Sequence, residues 1–353
     1  MTDAPQRLLL AALRRERIPR PPVWLMRQAG RYLPEYQKVR KAAGGFLAMA
    51  QNPELAAEVT LQPIRRFGMD GAILFSDILL PLQAMGMPLR FDDGVGPVLE
   101  EPLTSPERIA ALRPLEPSES LGYVGETLGI LARELPESCT LLGFCGAPFT
   151  LASYAVEGGT SKGHATLRGF MGQDPRAFSA LLDTFADAVG RHLAYQIESG
   201  AQAVVLFDTW AGTLGRNDYL RFAMPATERV LSHVRGKAPI INFVLNGGHV
   251  LEDIVGLGTE AVAVDWRVSL PDCLARWGDT TAFQGNLDPA CLLGTPEDVA
   301  ARTAELLRAV GGRPGHIFGL GHGVMKQTSP DAVAALVRTV QEHRVVSGSA
   351  ARV

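Results

Sequence analysis

The chain has 353 residues, 34 Lys and Arg against 37 Asp and Glu, a net charge of -3, and 46% hydrophobic positions. That is enough apolar material for a sizeable core, and no acidic or basic block stands out, which argues against intrinsic disorder and against a nucleic-acid scaffold. Four cysteines, Cys139, Cys145, Cys273 and Cys291, show neither CxxC spacing nor the density of a disulfide framework, so reduced thiols in a cytoplasmic protein without a structural zinc site are expected.

The apolar run Leu8–Leu13 flows into Arg14-Arg15-Glu16-Arg17, too short and too charged for a signal-peptide core, and predicts the first turns of an amphipathic helix. Short apolar runs then recur at Val23–Met26, Gly71–Phe75, Thr140–Cys145, Ala203–Phe207, Ile240–Leu245, Ala261–Trp266, Thr281–Gly285 and Ile317–Leu320. Between them, Asn52-Pro53, Asp174-Pro175, Thr295-Pro296 and Ser329-Pro330 each pair a capping residue with proline, and predict helices to Phe67, Ser199, Val310 and His343. The uncharged stretch Ser138–Val156 is long enough to span a bilayer, but Gly143, Gly146, Pro148 and its hydroxyl residues make it a strand, a turn and a buried helix start. No membrane segment is expected.

Continuous apolar runs suit buried parallel strands, and eight of them separated by helices is the count that closes an α/β fold of the TIM type, a (β/α)8 barrel. An open doubly wound sheet is the other arrangement with this pattern. No linker divides the chain, so residues 1–353 read as one barrel domain with an N-terminal helical extension and a frayed tail at 345–353. The Gly- and Pro-rich stretch Pro81–Pro106 reads as a long excursion after the second strand.

In such a barrel the active face lies at the C-terminal strand ends. There the sequence places Arg27 and Gln28, Ser76 and Asp77, Asp208 and Thr209, Asn246, and His322. Arg27 and Arg31 put two guanidiniums four residues apart around Gly30, which suits forked donors aimed at carboxylates or phosphates, though two surface arginines on a helix start would look the same. Asp77 sits between Ile73-Leu74-Phe75-Ser76 and Ile78-Leu79-Leu80. A carboxylate in so apolar a setting is paired, functional or a helix cap. Tyr154 also fits as a core tyrosine, and His322 as a backbone-bonded loop histidine.

Pro22-Val-Trp-Leu-Met-Arg-Gln-Ala-Gly-Arg-Tyr-Leu-Pro-Glu35 and Gly143-Phe-Cys-Gly-Ala-Pro-Phe-Thr-Leu-Ala-Ser-Tyr-Ala-Val-Glu-Gly-Gly159 resemble the uroporphyrinogen decarboxylase family of tetrapyrrole biosynthesis. Phe75-Ser-Asp77, Phe207-Asp-Thr-Trp-Ala-Gly212 and Gly319-Leu-Gly-His-Gly323 continue the resemblance in order, so that it covers nearly the whole chain. Met325-Lys326 departs from the family pattern, which expects an apolar residue and often proline there; Thr209 stands where some members carry Ser.

The resemblance implies a cytoplasmic, cofactor-free (β/α)8 carboxy-lyase, usually a homodimer, without metal, that converts uroporphyrinogen III to coproporphyrinogen III by turning four acetates into methyl groups. By motif position it implies Arg27, Arg31, Asp77, Tyr154, Thr209 and His322 as substrate-site residues, with Met26, Gln28, Ile73, Phe144 and Phe207 lining. Asp77, Arg27 and Tyr154 are the catalytic candidates. The chemistry suits these residue types. Carbon dioxide loss from a pyrrole acetate needs a protonated ring as electron sink, and a fixed carboxylate such as Asp77 stabilises that cation more than the neutral ground state. The source of the proton stays open among Arg27, Tyr154 and water. Two other readings are weighed. A zinc-dependent methyltransferase of the same fold group would need a His-x-Cys at a strand end and a later Cys, which are missing around Asn242-Phe243-Val244 and His322. A silent tetrapyrrole carrier would have no need of Asp77 together with both arginines.

Overall fold

The computed structural model describes residues 6–92 and 96–345. Seven strands form one parallel sheet: β1 (Gly71–Ile73), β2 (Thr140–Gly146), β3 (Ala203–Asp208), β4 (Ile240–Val244), β5 (Ala261–Ala263), β6 (Ala282–Leu287) and β7 (His316–Leu320). Each strand pairs with the next in sequence, for example Ile73 with Leu142, Phe207 with Phe243, and Gln284 with Ile317. Helices intervene between consecutive strands, which is why neighbours run parallel.

Alternation along the strands sorts the apolar residues into two layers. Val204, Leu206, Val262, Phe283 and Phe318 face outward into the core shared with the helices, while Ile73, Leu142, Val205, Phe207, Ile241, Phe243, Ala263 and Ile317 form a separate inner cluster. Segment 22–24 is hydrogen-bonded both to Phe318 in β7 and to Asp70 just before β1, which a flat seven-stranded sheet would hold far apart. The sheet is therefore curled, its concave face filled with side chains. At the N-terminal end of the strands, Leu9, Ala12 and Leu13 of the helix Leu8–Leu13, together with Trp24, join this inner cluster and plug it.

The run expected as the first strand is corrected by the structure to a lone bridge, Val23 with Phe318. Pro21 and Pro22 have no N–H to donate, and the chain turns away immediately after Leu25. The remaining groups are still paired to both flanking strands: Phe318 N–H donates to Pro22 O at 2.8 Å, and Asp70 N–H, just before β1, donates to Val23 O at 2.9 Å. Arg20 holds Asp70 through a forked ion pair at 2.7 and 2.8 Å, and Asp70 in turn accepts from Val23 N–H.

All four proline-started helices form, at Pro53–Phe67, Pro175–Glu198, Pro296–Val310 and Pro330–Glu342. Each has the anticipated cap: Asn52, Asp174, Thr295 and Ser329 accept from the N–H groups of Leu55, Ala177, Asp298 and Asp331. The uncharged stretch is β2 followed by the helix Pro148–Glu157. Among the described residues no helix is long and apolar enough to cross a membrane. The excursion at Pro81–Pro106 carries an antiparallel hairpin, Leu89–Asp92 against Gly96–Leu99, that the sequence reading did not contain. It is tied to the end of the helix Pro148–Glu157 by Leu99 N–H to Gly158 O (2.9 Å) and Leu103 N–H to Ala155 O (2.8 Å). Of the expected frayed tail, only Val345 is described, with its N–H bonded to Pro19 O; 346–353 lie outside the described residues.

Candidate active site

At the C-terminal strand ends the inner cluster finishes in aromatic rings. Phe144 from β2 meets Phe207 from β3 edge to face at 5.7 Å, Phe207 meets Phe243 from β4 at 6.2 Å, and Phe243 meets the His322 ring at 6.3 Å. Ile73, Met26, Ile78 and Leu245 fill the spaces between them. Such pairs contribute about 0.5–1.5 kcal/mol each beyond area burial, so the floor is a fixed apolar surface rather than a loose one. Met26, Ile73, Phe144 and Phe207 are thus together, and Phe243, Ile78 and Leu245 are additions. Phe243 was within reach of sequence reasoning, being two residues from Ile241 on the same strand face.

Polar groups ring this floor. Asp77 follows β1 and accepts from Leu79 N–H at 2.8 Å, a local turn bond to one oxygen; among the described residues no hydrogen bond reaches the other. The helix that starts at Leu80 takes no side-chain cap from it. Burial pushes the Asp77 carboxyl up to about 6, while the Leu79 N–H and the charge of Arg27 hold it lower than burial alone would.

Arg27 stands in the left-handed region at φ 61, a conformation that costs a residue with a Cβ on the order of 1 kcal/mol. Its neighbour Gln28 holds it there. Fully buried, Gln28 accepts from Leu25 N–H at 3.0 Å and donates to Gly71 O at 2.9 Å, locking the turn to the start of β1. Gln28 therefore lies beneath the site as a support for Arg27, with both ends of its amide engaged. Val324 N–H donates to Met26 O at 2.9 Å and clamps the Gly-His-Gly loop against the same turn. Both glycines of that loop are needed for the approach. A Cβ on Gly323 would lie 2.5 Å from Arg27 Cδ, and one on Gly321 would lie 2.6 Å from the backbone nitrogen of Trp266.

Tyr154, on the helix Pro148–Glu157, has its phenol raised by burial, partly countered by the Trp210 indole, and it feels both Asp77 and Arg27. Burial and the Arg27 charge hold the His322 imidazole down at about 4, so it is neutral at pH 7 and can both donate and accept. One arginine thus acts on Asp77, Tyr154 and His322 together, which places four of the sequence candidates in one electrostatic neighbourhood. Arg31 is exposed, with its carbonyl accepting from Gln37 and its charge felt by Tyr36. Thr209 is half-buried, at the end of β3 and beside Asp208, and makes no hydrogen bond to the other four. Among the described residues no group of three or more His, Cys, Asp or Glu side chains is placed to hold a metal ion, and all four cysteines are free.

Asp77, Arg27, Tyr154 and His322 thus share one electrostatic neighbourhood at the strand ends where the aromatic floor lies. Comparison with known proteins gives the family. The family profile described as uroporphyrinogen decarboxylase (URO-D) matches residues 4–343. The chain is 45% identical over 339 residues to the uroporphyrinogen decarboxylase of Chloroflexus aggregans, covering 95% of each, and 48% identical over 332 residues to that of Streptomyces coelicolor, covering 94% of this chain and 93% of the relative. In fold it is similar to a solved methyltransferase from Methanosarcina mazei, with a TM-score of 0.80 at 19% identity over 96% of this chain and 99% of that one. The motifs around Arg27, Asp77, Tyr154 and His322 are accordingly not an isolated likeness: from residue 4 to 343 the chain belongs to the uroporphyrinogen decarboxylase family.

Proposed function

We propose that the protein decarboxylates the four acetate side chains of uroporphyrinogen III to give coproporphyrinogen III, without a cofactor. The observation that carries this reading is the Asp77 carboxylate after β1, in one electrostatic neighbourhood with Arg27, Tyr154 and His322 at the strand ends where the inner cluster finishes in aromatic rings. A pyrrole is protonated at a ring carbon; the electron pair of the breaking bond to CO2 then flows into the ring and leaves an exocyclic methylene. A second proton adds to that methylene while the first leaves the ring carbon, so each acetate consumes one proton net and releases one CO2. Asp77 offsets the charge of the protonated ring and accepts pyrrole N–H bonds. Four N–H groups of a puckered macrocycle converging on one carboxylate let a single site serve all four rings.

Arg27 supplies a forked cationic donor for substrate carboxylates. Tyr154 retains its phenol proton at neutral pH because burial disfavours the phenolate. It is the group we assign to relay a solvent proton to the ring. Neutral His322 and half-buried Thr209 orient the side chains. The same reading takes segment 22–24 as the eighth stave of a closed barrel, supported by its bonds to Phe318 and Asp70. It takes residues 1–353 as one domain, working as a cytoplasmic homodimer of the 37.9 kDa chain, for which light scattering is the check.

Purified protein incubated anaerobically with uroporphyrinogen III and a chelator, with nothing else added, is expected to yield the hepta-, hexa- and pentacarboxylate intermediates and then coproporphyrinogen III. Binding of the tetrapyrrole with no CO2 release would leave a carrier instead. Arg31, exposed on the rim, is expected to act on the periphery of the largest substrate: Arg31→Ala should raise KM for the octacarboxylate about tenfold and for the pentacarboxylate about twofold or less. Equal effects on both substrates would remove Arg31 from carboxylate recognition.

A further inference from the structure

Beyond the ring of groups around Asp77, a second buried carboxylate lies at the end of β3. Asp208 is 1% exposed and accepts the Thr150 hydroxyl at 2.6 Å, together with backbone N–H groups of Thr150 and Ala211. Thr150 is fully buried, and its oxygen also accepts from Trp210 N–H at 3.1 Å. The helix Pro148–Glu157 begins at Ala147, which has no side chain able to cap it, so the cap arrives from another strand, as the Asp208 carboxylate set against the third helical residue. Ala147 N–H donates to Phe207 O at 2.8 Å and completes the seam.

Both sides of this seam carry site residues. Thr209 and Trp210 follow Asp208 directly. Tyr154 lies one turn beyond Thr150 on the same helix face. The Trp210 ring meets Tyr154 edge to face at 6.2 Å and is backed by the His164 ring at 4.7 Å.

We propose that Thr150 and Asp208 are positioning residues for decarboxylation: a buried latch in which one hydroxyl, donating to Asp208 and accepting from Trp210, fixes Tyr154 relative to Thr209 and the aromatic floor. Neither side chain needs to touch the substrate. The inference rests on the role assigned to Tyr154 above and adds what holds that phenol in place. The threonine hydroxyl is the element both halves share, so its removal leaves Asp208 short of a donor and the Trp210 N–H without an acceptor, and frees the turn to shift. A displacement near 1 Å at a reacting group is enough to cost about 100-fold in rate.

The test compares Thr150→Val, which keeps the shape and removes the hydroxyl, with Thr150→Ser, which keeps the hydroxyl, and with Tyr154→Phe. Thr150→Val is expected to lower kcat in single-turnover CO2 release about 100-fold with KM changed about threefold or less, while Thr150→Ser stays within about threefold of the parent. Adding Tyr154→Phe to Thr150→Val should cost little more, because the phenol is already displaced. Near-normal kcat in a folded Thr150→Val enzyme beside an impaired Tyr154→Phe enzyme overturns the latch and leaves the role of Tyr154 intact. Full activity of Tyr154→Phe overturns the role of Tyr154 itself. Should Thr150→Val not fold, Asp208→Asn serves. It keeps an oxygen to accept the hydroxyl, so the latch predicts activity within about tenfold of the parent, and a collapse of kcat would mean that the charge of Asp208, and not its hold on Thr150, is what matters.

Discussion

Asp77→Asn is expected to lower kcat on the order of 1,000-fold while product affinity falls about tenfold or less. A carboxylate about 4 Å from a protonated pyrrole, at an effective dielectric of about 20, is worth about 4 kcal/mol, and that attraction exists only once the ring is charged. The amide removes it. The backbone bond survives, since an asparagine oxygen still accepts from Leu79 N–H, so the turn after β1 keeps its shape. Stability should move the other way. The folded carboxyl titrates near 6, above the value of about 4 of an unfolded aspartate, so the folded protein binds the extra proton between those limits. Ionised Asp77 thus opposes folding above pH 6. Relative to the parent, Asp77→Asn should gain in unfolding temperature as pH rises from about 4 to about 6 and hold that gain above. In the parent, kcat/KM should fall about tenfold per pH unit on the acid side of 6 as Asp77 takes its proton. A folded Asp77→Asn enzyme with near-parental turnover would reduce Asp77 to the turn-forming residue that its bond to Leu79 also describes.

The second large effect concerns Gly323. Its missing side chain is occupied by the stem of Arg27, and a methyl group there, 2.5 Å from Cδ and 2.8 Å from Cγ, forces the arginine aside. Gly323→Ala should therefore behave like a loss of Arg27, lowering kcat/KM about 10- to 100-fold, with Arg27→Ala at the upper end of that range or beyond it. Because the atoms that must yield belong to a long exposed side chain, unfolding temperature should change little. The double variant carries the argument: with Arg27 already alanine, Gly323→Ala should be nearly silent, a coupling of about 1–3 kcal/mol. Additive losses would mean that the glycine serves the loop and not the arginine. Gly321→Ala is the contrast, since its methyl meets the backbone of Trp266 and costs stability outright, about 1–3 kcal/mol.

Much of this architecture was legible because its signals are local. A capping residue beside proline marks a helix start within four residues, and all four such starts hold. Strands buried on both faces announce themselves as apolar runs, although β1 and β5 stop at Ile73 and Ala263, short of the runs that predicted them. What failed was decided at a distance. Val23–Met26 looks like a strand until Gln28 reaches Gly71, 43 residues on, and bends the chain. Gln28 itself, expected to line the site, is withdrawn beneath it for the same reason. The pairing of Thr150 with Asp208 spans 58 residues and leaves no trace in either motif. The hairpin at Leu89–Leu99 has strands of four residues each, too short to show a period among the glycines and prolines.

The plug formed by Leu9, Ala12, Leu13 and Trp24 has a consequence for traffic. With the substrate held at the C-terminal strand ends, as the proposed function has it, a base sealed in this way leaves one doorway, and everything that enters must leave against the direction in which it came. The tetrapyrrole cannot thread through and present its rings one after another from the far side. To offer its next acetate it must turn within the mouth or back out and enter again, while each CO2 departs past the edge of the macrocycle still seated there. On that reading all four acetates of one molecule are served through a single doorway, and the accumulation of partly processed intermediates measures how often the guest leaves between rings.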